Sequence, residues 1–92
     1  MGYRLSRAAE DDIQNIYVFS ADRFGADQAE RYFAGLFETF EFLARFPEAA
    51  RLRTELSHSA RVHPYKSHII IYRLDGDDVF IQRVRHGSED WE

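Results

Sequence analysis

The sequence predicts an α+β domain in which a helical hairpin packs on one face of an antiparallel sheet. Three observations lead to this prediction. Apolar residues recur at helical spacing between residues 9 and 46, they alternate after residue 60, and a glycine turn signal follows residue 74. The predicted element order is β-α-α-β-β-β. With 92 residues, the chain is expected to form a single domain, residues 1–92.

A short strand at residues 2–5 is followed by the first predicted helix. Ser6 can cap this helix, because a serine hydroxyl accepts a hydrogen bond from an otherwise unpaired N–H group of the first turn. Gly25 is expected to end it. Its apolar positions recur every three or four residues: Ala9, Ile13, Ile16, Tyr17 and Phe24.

The second helix is predicted to begin at Asp27, with Glu30 three places later as a near capping box, and to end at Pro47. One apolar stripe runs along it, and further aromatic residues widen that stripe. We interpret the stripe as core. Its members are Ala29, Tyr32, Phe33, Leu36, Phe37, Phe40, Phe42, Leu43 and Phe46.

Residues 48–59 are expected to be irregular, and three strands follow. Residues 61–65 are interrupted by Pro64, which suits an edge strand or strand end. Residues 68–74 and 79–85 flank a hairpin turn at Asp75-Gly76. Residues 69–72 carry apolar side chains on both faces of their strand, and the helices can cover only one. The other face must therefore meet a loop, the C-terminal tail or another protein.

Composition excludes several classes of function. Sixteen acidic against twelve basic residues give a net charge of −4, which argues against a general or sequence-specific nucleic-acid binder. The absence of cysteine excludes disulfides and thiolate metal sites, and no apolar run is long enough to span a membrane. We expect a cytoplasmic protein. Between Glu55 and Asp75 there is no carboxylate, so this stretch is either an ordinary solvated face or a docking surface for an acidic partner.

Three kinds of catalytic or metal site can be weighed. His58, His63 and His68 are evenly spaced but lack the convergence that a zinc site needs, so neither a metal nor a cofactor is expected. A catalytic triad would need Ser88 as nucleophile, His86 as base and Asp90 as orienting residue. These residues lie too close together in sequence to line up in that way. Metal-free RNA cleavage is the serious enzymatic alternative. Arg83, Arg85 and His86 are its candidate residues.

Four segments resemble the ParE toxins of bacterial toxin–antitoxin modules, within the RelE/ParE superfamily. They are Tyr3-Arg4-Leu5-Ser6, Gln28-Ala29-Glu30-Arg31-Tyr32, Ile70-Ile71-Tyr72-Arg73 and Arg83-Val84-x-His86-Gly87-x-x-Asp90-Trp91. The resemblance extends over essentially the whole chain, and its most specific part is the ending. It implies the same β-α-α-β-β-β fold.

The resemblance also implies a function. ParE-type relatives bind DNA gyrase, and ParD-like antitoxins neutralise them through a disordered acidic tail that folds on the toxin in a hetero-oligomer. We therefore predict a non-enzymatic toxin. Its predicted partner-binding residues are Arg61, Arg73, Arg83, Arg85, His86, Asp90 and Trp91. The alternatives are a RelE-like ribosome-dependent messenger RNA endoribonuclease and a non-toxic relative that retains only antitoxin binding.

Overall fold

Two helices lie against a five-stranded sheet in the computed structural model, which describes residues 2–54 and 59–88. The elements in chain order are β1 (Tyr3–Leu5), α1 (Arg7–Phe24), α2 (Ala26–Arg45), β2 (Leu52–Arg53), β3 (Ala60–Tyr65), β4 (His68–Asp75) and β5 (Asp78–His86). The predicted α+β architecture is confirmed, and the bounds of β1, β3, β4 and β5 lie within one residue of those expected. Neither helix is long and apolar enough to cross a membrane.

The strand order in the sheet is β1-β5-β4-β3-β2. Strands β2 to β5 pair antiparallel, as expected, whereas β1 runs parallel to β5. The helical hairpin carries the chain from β1 across the sheet, so that the first and last strands become neighbours. Strand β2 lies in the segment expected to be irregular, and with two residues it gives almost no periodic signal in the sequence.

A single residue joins the two helices. Gly25 has a φ of 93°, a conformation that favours glycine, and its N–H donates to the carbonyl of Ala21. The predicted cap at Ser6 is confirmed, since its hydroxyl accepts from the N–H of Ala9 at 2.9 Å. The start of α2 lies within one residue of that expected, but the predicted capping box at Asp27 is wrong. The helix begins at Ala26 without a side-chain cap, because Gly25 turns the chain directly into it.

Glu30 accordingly has a different role from the predicted capping box. Its carboxylate accepts a hydrogen bond from the hydroxyl of Tyr17 at 2.6 Å, which ties α2 to α1. This hydrogen bond also raises the pKa of Tyr17, because the neighbouring carboxylate favours the protonated phenol.

The core lies between the hairpin and one face of the sheet. Its largest fully buried side chains are Tyr72, Phe40, Leu36, Leu43, Ile70, Ile81, Val79 and Val84. Tyr72 is satisfied there, because its hydroxyl donates to the carbonyl of Pro47 at 2.8 Å, and burial raises its pKa. Two of the phenylalanines predicted for the core stripe of the second helix are instead exposed, Phe42 (41%) and Phe46 (56%). Phe24, which continues the apolar spacing of α1, is 57% exposed.

A bulge in β5 decides which side chains reach the core. Ile71 pairs with Arg83 and Tyr72 pairs with Ile81, so Gln82 is an extra residue in β5. Side chains alternate between the two faces of a regular strand, and an extra residue reverses that alternation. Ile81 and Val84 can therefore both be buried against the helices although they are three positions apart.

Gly35 lies in the middle of α2, where glycine is normally unfavourable. A Cβ at this position would overlap the hydroxyl oxygen of Tyr65 and lie 3.2 Å from its Cζ. That hydroxyl donates to the carbonyl of Tyr32 at 2.8 Å. The glycine therefore allows β3 to pack its tyrosine against the backbone of α2.

Gly35→Ala is expected to lower the free energy of unfolding by about 1–2 kcal/mol, the usual cost of overpacking. Helix propensity alone would give the opposite sign, a gain of about 1 kcal/mol. Thermal melts of Gly35→Ala in the native chain and in a Tyr65→Phe background test this, since removing the hydroxyl should shrink the penalty. A higher melting temperature for Gly35→Ala in the native chain would contradict the packing argument.

Candidate partner-binding site

The predicted partner-binding residues are spread over three strands. Arg61 is on β3, Arg73 is on β4, and β5 carries the others that the structure describes. Asp90 and Trp91 lie outside the described residues, and so does the predicted pairing of Asp90 with Arg83 or Arg85. Of the described members, Arg83, Arg85 and His86 line one small cavity, and Arg61 and Arg73 are not among its lining residues.

Arg73 belongs to a row that crosses the sheet on the face turned away from the helices. Its cross-strand neighbour is Phe80, which in turn neighbours Arg4 of β1. The guanidinium carbons of Arg73 and Arg4 lie 4.7 and 5.2 Å from the centroid of the Phe80 ring, so the ring is held between two cations. Arg4 also forms an ion pair with Asp75.

Arg61 has a local structural role. Its Nη1 donates to the carbonyl of Ala50 at 2.7 Å. This bond ties β3 to the segment that precedes β2. Ala50 itself is 7% exposed, so the contact lies at the margin of the core.

Arg83 forms a two-pronged ion pair with Asp12 of α1. Its Nε and Nη2 donate to the two carboxylate oxygens at 2.8 and 3.0 Å. The same carboxylate accepts from the backbone N–H of Val84 at 3.0 Å. Strand β1 stops opposite Ile81, so Asp12 supplies a hydrogen-bond partner at the edge of β5 beyond the end of β1.

The residues considered for RNA cleavage leave the backbone of β5 on alternate faces. Arg83 and Arg85 face away from the helices with their cross-strand partners Ile71 and Ile69. His86 is one position further along and lies on the helix side. The side chains of Arg83, Arg85 and His86 nevertheless line one small cavity of about 240 Å³ at the edge of β5, where Arg83 reaches Asp12 of α1.

His86 belongs to a cluster of hydrogen-bonding rings at the end of the sheet. It is paired with His68 across β4 and β5, and the two ring centroids are 5.4 Å apart. Nδ1 of His68 lies 2.5 Å from the hydroxyl of Tyr32 on α2. Nδ1 of His86 lies 2.7 Å from the hydroxyl of Ser88 and accepts from its backbone N–H.

The cluster forms one end of an open cavity of about 910 Å³ between the tip of the hairpin and the sheet. We refer to this cavity as the hairpin groove. Its lining residues are Asn15, Ile16, Phe19, Ser20, Phe24, Gln28, Arg31, Tyr32, Lys66, Ser67, His68 and His86.

The hairpin groove has an apolar part and a cationic part. Phe19 and Phe24 of α1 are 58% and 57% exposed and provide the apolar wall. Arg31 and Lys66 are its charged lining residues, and no carboxylate appears among the described residues that line it. Such a surface suits an acidic segment that also carries bulky apolar side chains.

Of the groove residues, only His86 was predicted to bind a partner from the sequence. The exposed phenylalanines of α1 could not be distinguished from core residues, because they fall at ordinary helical spacing. The role of Lys66 could not be predicted because a single lysine has no sequence pattern. It lies in the turn between β3 and β4 with a φ of 53°, so the pairing of these two strands sets its position.

The histidines do not form a metal site with neighbouring acidic or histidine side chains in residues 2–54 and 59–88. His58 lies outside those residues. His63 packs against Phe42 at 5.9 Å between ring centroids, and burial lowers its pKa. It lies away from His68, which pairs with His86.

Comparison with known proteins gives a consistent result. The model of the family described as the ParE toxin of the type II toxin–antitoxin system parDE matches residues 3–91. Toxin ParE1 of Caulobacter vibrioides is 37% identical over 86 residues, which cover 94% of this chain and 88% of that protein. Toxin ParE1 of Mycobacterium tuberculosis is 33% identical over 89 residues, covering 96% and 91%.

A solved structure described as a chromosomal ParDE toxin–antitoxin system from P. aeruginosa has the same fold. Its TM-score to this chain is 0.80, with 94% of this chain and 95% of that chain covered. Sequence identity is 19%, so this similarity concerns the fold alone.

Proposed function

We propose that this chain, which belongs to the ParE toxin family of type II toxin–antitoxin systems, inhibits DNA gyrase by protein–protein binding and is neutralised by a cognate ParD-like antitoxin. The observation that carries the proposal is the family match over residues 3–91, which includes the specific ending of the chain. The toxin would act in the cytoplasm, where gyrase works, and would form a hetero-oligomer with its antitoxin.

The arrangement of β5 supports a binding mechanism over RNA cleavage. Cleavage would need a base for the 2′-hydroxyl, an acid for the leaving oxygen and cations at the phosphate. Arg83, Arg85 and His86 line one small cavity, but the guanidinium of Arg83 is already engaged by the carboxylate of Asp12. Binding to gyrase requires no such convergence.

The antitoxin is expected to lay its acidic tail over the helical hairpin and to continue onto the sheet. The exposed apolar side chains of α1 support this placement, because they offer contact area that a folding segment can cover. On the sheet, Arg73 is exposed and lies beside an aromatic ring. Asp90 and Trp91 stay predicted contacts with the antitoxin or gyrase.

Ribosome-bound messenger RNA is expected to remain intact in the presence of the purified toxin, because Asp12 already engages the guanidinium of Arg83 that cleavage would need at the phosphate. Primer extension on translating ribosomes measures this directly. His86→Ala is the matched variant, since a ribonuclease that used this histidine would lose its cuts. Codon-linked cleavage that disappears in His86→Ala would overturn the proposal and favour the ribonuclease.

A further inference from the structure

We propose that the outward surface of α2 is an interface through which two copies of this chain form a symmetric dimer. The interface is a row of exposed residues that we call the α2 face. Its members are Asp27, Arg31, Ala34, Glu38, Phe42 and Arg45. The observation that carries the inference is the order of charges along the row. It complements itself when a second copy of the helix lies against it in the opposite direction.

The α2 face lies opposite the side of the helix that packs into the core. Its members are three or four residues apart, which places them on one side of an α-helix. The buried residues of the same helix are Ala29, Leu36, Phe40 and Leu43. The members of the α2 face are all exposed, and they include an aromatic ring, Phe42, at 41%. The surface is therefore accessible along nearly the whole helix, a length of about 30 Å.

A two-fold axis imposes a definite requirement on the charges. In a symmetric dimer, a residue that faces a second residue of the other copy must itself be faced by that second residue's counterpart. Arg31 and Glu38 have opposite charges, and so have Asp27 and Arg45. The midpoints of these two pairs in the sequence differ by less than half a helical turn. One antiparallel arrangement of two α2 helices therefore brings each cation close to a carboxylate of the other copy.

The uncharged positions fit the same arrangement. Phe24 lies just before α2 and Phe46 just after it, and they are 57% and 56% exposed. Their midpoint falls between the midpoints of the two charged pairs, so each ring would meet the other ring of the second copy. This contact would remove apolar surface from water at both ends of the interface. Ala34 lies near the axis, and its small side chain allows the two helices to approach closely.

The charged members of the α2 face take no part in the ion pairs formed within residues 2–54 and 59–88. The charge of Glu38 instead affects a neighbouring phenol. Burial raises the pKa of Tyr65, and the phenol of Tyr32 and the carboxylate of Glu38 add to this effect. A second copy would therefore supply counter-charges to side chains that have none in the described part of the chain.

The dimer is expected to be weak. One pair of helices buries less surface than a standard protein interface, and each exposed ion pair contributes little. We therefore expect a dissociation constant in the micromolar range. An antitoxin tail that lies over the helical hairpin would cover the same face, so the dimer is expected in toxin that is free of antitoxin. The inference itself does not depend on the proposed function.

The experiment is analytical ultracentrifugation of the full-length toxin, prepared without antitoxin, from low to high micromolar concentration. The native chain should pass from monomer to dimer over this range. Arg31→Glu and Glu38→Arg should each weaken self-association at least about tenfold, because like charges then face each other twice across the axis.

A mixture of these two variants, with one of them labelled, gives the sharpest test. The Arg31→Glu chain has carboxylates at both positions and the Glu38→Arg chain has guanidinium groups at both, so a mixed dimer regains both complementary pairs. We expect mixed dimers of about native affinity. Asp77→Arg is the matched control, because Asp77 is exposed in the β4–β5 turn and its replacement changes the net charge as Glu38→Arg does. It should self-associate like the native chain and should bind Arg31→Glu less tightly than Glu38→Arg does.

A single cysteine gives a measurement that does not depend on charge. The chain has no cysteine, so a disulfide in Ala34→Cys can form only between two copies. Because Ala34 lies near the proposed axis, mild oxidation should cross-link this variant at micromolar concentration. Ala8→Cys, at an exposed position of α1, is the control and should cross-link much more slowly.

Several results would overturn the inference. One is a native chain that stays monomeric at every concentration, which would leave the α2 face an ordinary solvated surface. Another is a dimer that persists in both charge-reversal variants, because it would have to use a different surface. Mixed dimers no tighter than those with Asp77→Arg would also overturn it. If a charge-reversal variant fails to fold, equal cross-linking of Ala34→Cys and Ala8→Cys would do so alone. A monomeric toxin that still inhibits gyrase would leave the proposed function standing.

Discussion

Asp12→Ala is expected to lower the free energy of unfolding by about 2–4 kcal/mol, a large fraction of the stability of a domain this small. The side chain of Asp12 is 14% exposed and accepts three hydrogen bonds, two from Arg83 and one from the N–H of Val84. Its removal would take the bidentate carboxylate away from Arg83 and would leave the N–H of Val84 without this acceptor at the edge of β5.

Thermal and urea unfolding of matched variants measures this effect. Asp11→Ala is the control, because it removes an exposed carboxylate from the neighbouring position of the same helix and should change stability by less than about 0.5 kcal/mol. Asp12→Asn should fall between the two, because the amide oxygen can still accept from Val84 but the charge is lost.

The contribution of the ion pair can be isolated with a double-mutant cycle on Asp12→Ala and Arg83→Ala. Arg83 is 40% exposed, so part of its charge is solvated and its own replacement should cost less than that of Asp12. If Asp12→Ala proves as mild as Asp11→Ala, the carboxylate does not hold the edge of β5, and the structural role assigned to it is wrong.

The order of helices and strands could be predicted from the sequence because each element carries its own periodic signal. The stripe along α2 and the alternation in β3 to β5 are local patterns, and Gly25 and Gly76 mark turns where φ is positive. The parallel pairing of β1 with β5 is not local. It depends on how the hairpin crosses the sheet, and a three-residue strand has no pattern that reveals its neighbour.

The distribution of side chains on β5 could not be predicted for a related reason. Strict alternation would group Arg83 and Arg85 with the core residues Val79 and Ile81. The extra residue Gln82 reverses the faces, and the hydroxyl of Ser6 donates to its carbonyl at 2.7 Å. Because a residue outside the strand stabilises this bulge, the sequence of β5 alone does not reveal it.

The lining of the hairpin groove could not be predicted from the sequence either, because its residues are far apart in the chain. Its lining comes from α1, α2, the β3–β4 turn and β5, so the residues that meet there are up to 71 positions apart, from Asn15 to His86. Phe24 continues the apolar spacing of α1, which does not distinguish an exposed position from a core position. It is exposed because the helix ends one residue before the hairpin turn, at the tip of the molecule.

Inhibition of DNA gyrase by the toxin is the second large effect that we expect. The proposed function predicts that purified toxin at saturating concentration reduces the supercoiling activity of DNA gyrase to a small fraction of its native rate. The antitoxin tail is expected to fold over the helical hairpin and the sheet of the toxin. It can relieve the inhibition there either by covering the toxin residues that bind gyrase or by blocking the approach of gyrase sterically. The inhibition should therefore disappear when antitoxin is added in equimolar amount.

A supercoiling assay with the full-length toxin, with and without antitoxin, tests the central claim most directly. A folded variant that keeps antitoxin binding but lacks residues 89–92 serves as a comparison for the predicted contribution of Asp90 and Trp91. The account predicts strong inhibition by the native chain and full recovery with antitoxin. Unchanged supercoiling at saturating toxin, in a preparation that binds its antitoxin, would contradict it.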